Sequence, residues 1–350
     1  MTTRPLRVLV CDDSPLLRRV VSDLLTDGGL EVVGQARDGV ELLERVAALR
    51  PDVVTLDVEM PRRNGLDALG DLMRERPTPV VMVSSLTGTG AAATAAALAA
   101  GAVDVVQKPR LRLSPGSWGA VRDELVGKVR AAGAARMGAL ARAPRSMPPG
   151  PELAARAGAA GGRLVVIATS TGGPRALQAL VPRLPSPIGA GVLIVQHMPP
   201  GFTRSLADRL DAESALTVRE AADGDPIRPD TALVAPAGHH LEVAGRGRVR
   251  LSDAPPVGAL RPRADITLES AARHHAPGVL AVVLTGMGDD GTPGAAAVKR
   301  AGGRVLAEHE STCVVWGMPR AVVAAGHADA VFPLDEMARA IAEEAAARVR

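Results

Sequence analysis

Apolar and polar positions fall in blocks along this chain. Short runs rich in Val, Leu and Ile recur at 6–11, 31–33, 53–56, 80–83 and 103–106, each bounded by turn-forming residues. That length and composition mark buried strands. Between them, at 15–25, 40–49 and 66–74, apolar residues return every three or four positions, the spacing of an amphipathic helix. The same alternation resumes at 164–168, 191–195, 232–235, 280–284 and 304–307. At 241–251 the segment VAGRGRV predicts a hairpin with glycine at its tip, while 261–265 and 330–334 carry no readable pattern. Strand–helix alternation predicts parallel sheets covered on both faces. The expected fold class is α/β, with two doubly wound parallel-sheet domains at 5–125 and 163–347.

The segment between them, 126–162, is dominated by Ala, Gly, Pro and Arg, and its only acid is Glu152. Its PPGP run cannot sit inside a helix or a central strand, so the segment reads as a linker. The arginines in it are most simply a solvated tether; docking an acidic partner is the other reading.

Composition narrows the function. A length of 350 residues accommodates two ordinary domains, and 47% hydrophobic with 23% charged residues is globular. A net charge of +3 is too mild to indicate nucleic acid, and two Phe, two Trp and no Tyr leave few platforms for stacking bases. The Ala-rich stretch 91–100 suits a helix but is too short to span a bilayer, so no membrane insertion is expected. Cys11 and Cys313 form neither a disulfide framework nor a zinc spacing, and the amino terminus carries no secretory pattern. These features point to a reducing, cytoplasmic location.

Chemistry collects at the strand ends. In the first half Asp12 and Asp13 follow the first strand, Asp57 closes VVTLD, Ser84 follows VVMV, and Lys108 follows VDVVQ. Open α/β sheets bring such groups to one edge. Three carboxylates there call for a hard cation, Mg²⁺, and the hydroxyl and ammonium suit a bound phosphoryl group. In the second half RLVVIATSTGGP runs from a strand into a tight turn, with Ser170 at the strand's exit and Pro174 in the first turn of a helix. Ser170 is a candidate nucleophile, or else only a helix cap. His197 leaves the strand at 192–195, and Asp289-Asp290 follow the strand at 282–284. A serine needs a base, and the base an orienting carboxylate. Ser170, His197 and an aspartate at 289 or 290 therefore make a possible triad. The other six histidines, at 239, 240, 274, 275, 309 and 327, show no metal-binding spacing.

The first 120 residues resemble the receiver domain of two-component response regulators through VLVCDDS, LDVEMPRRNGLDAL, VVMVSS and QKP. That resemblance implies a flavodoxin-like domain in which Asp57 accepts a phosphoryl group from a histidine kinase. Asp12, Asp13 and Asp57 would hold Mg²⁺, with Ser84 and Lys108 on the phosphoryl group. Val105 stands where receivers often carry an aromatic. STGGP, VQHMPPGFTRSLADRL, LTGMGDDG and CVVWGMPRAV resemble the Rossmann-like catalytic domain of the chemotaxis protein-glutamate methylesterase/protein-glutamine glutaminase family. Ala168-Thr169 replace that family's usual small residues before the serine.

This second resemblance implies a phosphorylation-activated hydrolase that demethylates glutamate methyl esters, and deamidates glutamines, on methyl-accepting chemoreceptors. It assigns Ser170, His197 and Asp290 to catalysis, Thr171 and Met287 to the oxyanion, and no cofactor to the esterase domain. The implied partners are chemoreceptors as substrate and a chemotaxis histidine kinase as phosphodonor, with the chain a monomer. The alternatives are weaker. The G-x-S-x-G elbow is absent, as is G-x-G-x-x-G, and no acid between Gly173 and Asp208 could take a ribose hydroxyl. Nothing after the receiver-like half reads as a helix-turn-helix. A phospho-switched binding module without chemistry is the remaining alternative.

Overall fold

The computed structural model describes residues 4–85, 88–109, 118–138 and 162–347. The chain divides into two compact units between Ala141 and Arg142.

In the first unit, strands β1 (Arg7–Cys11), β2 (Glu31–Ala36), β3 (Val53–Asp57), β4 (Val80–Ser84) and β5 (Asp104–Gln107) form one parallel sheet in the order β2-β1-β3-β4-β5. Every residue of β3 and β4 is buried, as expected of strands with helices on both faces. Those helices are α1 (Pro15–Asp27), α2 (Gly39–Leu49), α3 (Gly65–Glu75), α4 (Gly88–Ala99) and α5 (Trp118–Gly133). Helix α1 packs on α5, and α2, α3 and α4 pack in succession. Side chains of Ser14, Asp38 and Asn64 cap the first three helices by accepting N–H groups of the first turn.

Residue 126, where composition places the start of the linker, lies inside α5. Val126, Val129, Ala131 and Ala132 are buried there, so an apolar face carries the helix eight residues further. Composition concealed this, because Ala and Gly dominate both the end of the helix and the linker beyond it. Most of the remaining linker, 139–161, falls outside the described residues.

The second unit is built on seven parallel strands: β6 (Arg163–Thr169), β7 (Ala190–Gln196), β8 (Thr217–Glu220), β9 (Thr231–Val234), β12 (Val279–Val283), β13 (Arg304–Glu308) and β14 (Ala330–Phe332). Their order is β14-β13-β12-β6-β7-β9-β8. Strands β10 (His240–Ala244) and β11 (Arg248–Ser252) form the expected hairpin as a separate antiparallel pair, turning through Gly245-Arg246-Gly247. The helices are α6 (Gly173–Leu180), α7 (Phe202–Glu213), α8 (Ala264–His275), α9 (Thr292–Arg300), α10 (Met318–Ala324) and α11 (Leu334–Ala346). Leu164, Val166 and Ala168 pack with Val279, Ala281 and Val283 and with Ala264, Leu268 and Ala271 of α8 in one core. The chain leaves β6 toward β7 on one side and later returns to its other side with β12. This reversal makes the carboxyl ends of β12, β6 and β7 the place where such sheets bind ligands.

Candidate active site

Ser170 is the first residue beyond β6. Its N–H donates to the Thr285 carbonyl at 3.0 Å, and its carbonyl accepts the Gly173 N–H at 2.7 Å. The turn closes on Gly172, which has a φ of +80° and faces the Val314 side chain so closely that a Cβ would lie 2.5 Å from it. Gly172 is also the N-cap of α6, and no side chain caps that helix. The cap-only reading of Ser170 is therefore not what the turn is built for.

His197 is the first residue beyond β7. Thr169 pairs with Gln196 in the β6–β7 ladder, and the His197 N–H donates to the Thr169 carbonyl at 3.1 Å. The register sets Ser170 opposite His197 on neighbouring strands, which lie about 4.8 Å apart in a sheet. Both residues are buried.

The loop after β12 supplies the carboxylate. Of the two acids that spacing left open, Asp289 is exposed and Asp290 is buried. Asp290 Oδ2 lies 2.7 Å from His197 Nε2. The same oxygen accepts the Ala264 N–H at 2.7 Å, and Oδ1 accepts those of Asp265 at 3.0 Å and Gly291 at 2.9 Å. Burial pushes this carboxyl up, but the bonds to His197 and to the α8 N-terminus outweigh it and hold the group well below the usual carboxylate range. With Nε2 on Asp290, the nitrogen left to serve Ser170 is Nδ1, the reverse of the serine-protease arrangement.

The two oxyanion candidates flank the serine. Thr171 follows it, buried, with its carbonyl accepting the Thr285 hydroxyl at 3.0 Å. Met287 is exposed and follows Gly286, where a Cβ would lie 2.8 Å from that of Ser170.

Sequence reasoning missed the residues that hold these turns together. Gln196 Nε2 donates to the carbonyls of both Ser170 (3.0 Å) and His197 (2.9 Å). The Thr285 carbonyl also accepts the Thr169 hydroxyl at 2.8 Å, so Thr169 binds the strand ends together. The Thr285 N–H donates to Glu308 at 2.8 Å. Glu308 is fully buried, and burial pushes its carboxyl up to about 7 against that bond. Gln196 adjoins His197 and Thr285 lies two residues before Met287, yet bonds to main-chain carbonyls leave no periodic trace.

In the first unit, carboxylate oxygens of Asp12, Asp13 and Asp57 lie within 4.8 Å of one another. An all-oxygen anionic set of this kind fits Mg²⁺. Lys108 Nζ is 2.6 Å from Asp57 and 3.2 Å from Asp12. Burial drives the Asp57 carboxyl up to about 6, opposed by its Lys108 bond and reinforced by Asp12. Ser84 is buried one residue past Val83, the ladder partner of Asp57, and its hydroxyl donates to the Ser85 carbonyl at 3.4 Å.

Comparison with known proteins agrees with both halves. Residues 165–341 match the CheB methylesterase family and residues 8–113 the response regulator receiver domain. A protein-glutamate methylesterase/protein-glutamine glutaminase of Symbiobacterium thermophilum is 52% identical over 97% of this chain and 96% of its own length. One of Thermotoga maritima is 46% identical over 95% and 96%. The crystal structure of the CheB methylesterase catalytic domain of Thermotoga maritima is 47% identical, with a TM-score of 0.51, and covers 52% of this chain and 98% of that one. The chain belongs to the CheB methylesterase family, with a response regulator receiver domain ahead of the methylesterase domain.

Proposed function

We propose that this chain is a phosphorylation-controlled protein-glutamate methylesterase and protein-glutamine glutaminase acting on chemoreceptors through Ser170, His197 and Asp290. The observation that carries the reading is the 2.7 Å contact of His197 with a buried, anionic Asp290 on the strand end beside Ser170. His197 Nδ1 takes the proton from Ser170 Oγ as the oxygen attacks the ester carbonyl of a methylated glutamate side chain. Asp290 stabilises the imidazolium that forms. Backbone N–H groups of Thr171 and Met287 receive the oxyanion, a kind of contact worth about 10²–10³ in rate. His197 returns the proton to the departing methoxide, so methanol leaves, and water then clears the acyl-enzyme by the same steps. With a glutamine side chain the leaving group is ammonia.

Control belongs to the receiver. Asp57 accepts the phosphoryl group from a chemotaxis histidine kinase, with Lys108 and Ser84 pairing the added oxygens. Asp12, Asp13 and Asp57 would hold Mg²⁺, which would supply positive charge to offset the carboxylates and the phosphoryl oxygens. Two buried free cysteines support a reducing cytoplasm as the setting, and among the described residues no helix is long and apolar enough to cross a membrane. The test is methanol release from methylated receptor membranes. Ser170→Ala should abolish it, and a variant that releases methanol at the wild-type rate overturns the mechanism. Removal of residues 1–150 should raise the unphosphorylated rate.

A further inference from the structure

Behind Asp290 lies a second buried carboxylate that takes no part in the reaction steps. Asp265, in the first turn of α8, has its Oδ1 bonded to the N–H groups of Gly291 and Gly294, both at 2.9 Å. The Gly291 N–H also donates to Asp290 Oδ1 at 2.9 Å, so the two acids share a donor and stand side by side. Two like charges in a dry site share a proton unless a cation intervenes. Arg263 is that cation. Its Nε and Nη2 donate to Asp265 Oδ2 at 3.0 and 2.8 Å, and its Nε lies 3.4 Å from Asp290 Oδ1. The Arg263 side chain is partly buried, and its Nη1 donates to the Val257 carbonyl at 3.3 Å.

We propose that Arg263 is a positioning residue of this active site, holding Asp265 and Asp290 as a doubly charged pair and so setting the lower pH limit at which His197 serves as a base. The proposal rests on the triad reading above. Arg263 does not reach the substrate; it acts through Asp290. The charged groups about the pair are His197 beyond β7, Arg263 and Asp265 at the start of α8, and Asp289 in the β12 loop. Strand β10, which packs along α8, brings Glu242, paired with Arg250, and His240, bonded to the Pro255 carbonyl. Strand β12 and the first turn of α9 bring no charge. Loss of Arg263 therefore leaves an excess negative charge, and the whole cluster binds protons more tightly. Burial and Asp290 already push Asp265 up to about 6 with the arginine in place.

The experiment is the pH profile of methanol release by the full chain. Arg263→Gln should move the acid limb of kcat/KM upward by about one pH unit, the scale of a unit charge removed at this range in a partly dry site. Arg263→Lys should keep the wild-type limb. Arg263→Gln combined with Asp265→Asn removes one charge of each sign and should return the limb to its wild-type position. A merely structural arginine would lower activity or thermal stability without moving the limb, and the second substitution would not restore it; either result overturns the proposal. If Arg263→Gln fails to fold, the Lys and double variants decide: a displaced limb in either one overturns it. A wild-type protein that releases no methanol at all refutes the esterase reading instead.

Discussion

Replacing Asp290 by asparagine separates a catalytic carboxylate from one that merely anchors a helix. The carboxylate accepts three main-chain N–H groups, from Ala264 on Oδ2 and from Asp265 and Gly291 on Oδ1, and faces His197 with Oδ2. An amide offers one acceptor oxygen and one NH₂ group, so Asp290→Asn must choose. With its oxygen toward His197, the NH₂ opposes two N–H donors; with its NH₂ toward His197, it opposes only the donor of Ala264. Each buried N–H left without an acceptor costs about 1–3 kcal/mol. Gly291 keeps Asp265 Oδ1 as an acceptor, so each orientation strands one N–H. The Arg263 guanidinium, 3.4 Å from Oδ1, would face an NH₂ in the first, which favours the second. In that orientation Nε2 of His197 must accept a hydrogen bond, its hydrogen moves to Nδ1, and Nδ1 can no longer take the serine proton. The lost negative charge also removes the stabilisation of the imidazolium. The same exchange in a serine-protease triad costs about 10⁴ in kcat through the wrong tautomer, and a loss of about 10³–10⁴ in methanol release is expected here. Asparagine is as good a helix cap as aspartate. A variant that keeps more than about one-tenth of the wild-type rate would mean that Asp290 only anchors α8, and the triad would be refuted.

Gly172→Ala places a methyl 2.5 Å from Val314 Cβ at a φ of +80°; left-handed strain and overpacking together should cost about 2–5 kcal/mol in unfolding experiments. Gly247→Ala, at a φ of +64° in open space, should cost only the strain, about 1–2 kcal/mol. Glu308→Gln should stabilise the catalytic unit with rising pH. A buried acid raised to about 7 favours folding below its unfolded value of about 4.3, and that contribution, about 4 kcal/mol, is lost as pH climbs to the folded value. Melting temperatures of the two proteins should thus coincide near pH 4 and diverge by pH 8, and parallel curves would refute the burial argument. Mg²⁺ should raise the receiver's unfolding temperature at pH 7.5 but not at pH 5, where an Asp57 carboxyl pushed up to about 6 is largely protonated.

Burial on both sides is the feature that made this fold legible in the sequence. The central strands β1, β3, β4, β6, β7 and β12 are mostly apolar runs because helices cover both faces, and each is expected within two residues of its ends. Edges fade for the converse reason. Strand β8 has one buried residue, Val218, within TVRE, and none of the three residues of β14 is buried; neither leaves a pattern to read. Residues 261–265 looked featureless because their work is electrostatic: they bring a guanidinium, a carboxylate and two N–H groups to Asp290. Ser170 and His197 were legible as candidates because each directly follows its own strand. The choice between Asp289 and Asp290 was not, since it turns on which of two neighbours the loop folds inward.

The two units put the same residue type at a strand end and drive it in opposite directions, and donor count explains the difference. Asp57 is buried with one main-chain N–H, that of Glu59 at 3.3 Å, one ammonium, and Asp12 as a like charge. The balance leaves its carboxyl raised and the anion weakly held, as the proposed phosphoryl transfer requires. Asp290 is buried with three N–H groups at the N-termini of α8 and α9, an imidazole and a nearby guanidinium, and its anion is held tightly. A carboxylate that must react gains from few donors, because each one it receives lowers its nucleophilicity. A carboxylate that must stay charged while a neighbouring histidine gains and loses a proton needs many. Adding a donor to Asp57 or removing one from Asp290 would move each toward the other's role, and in both cases away from the chemistry of its own site.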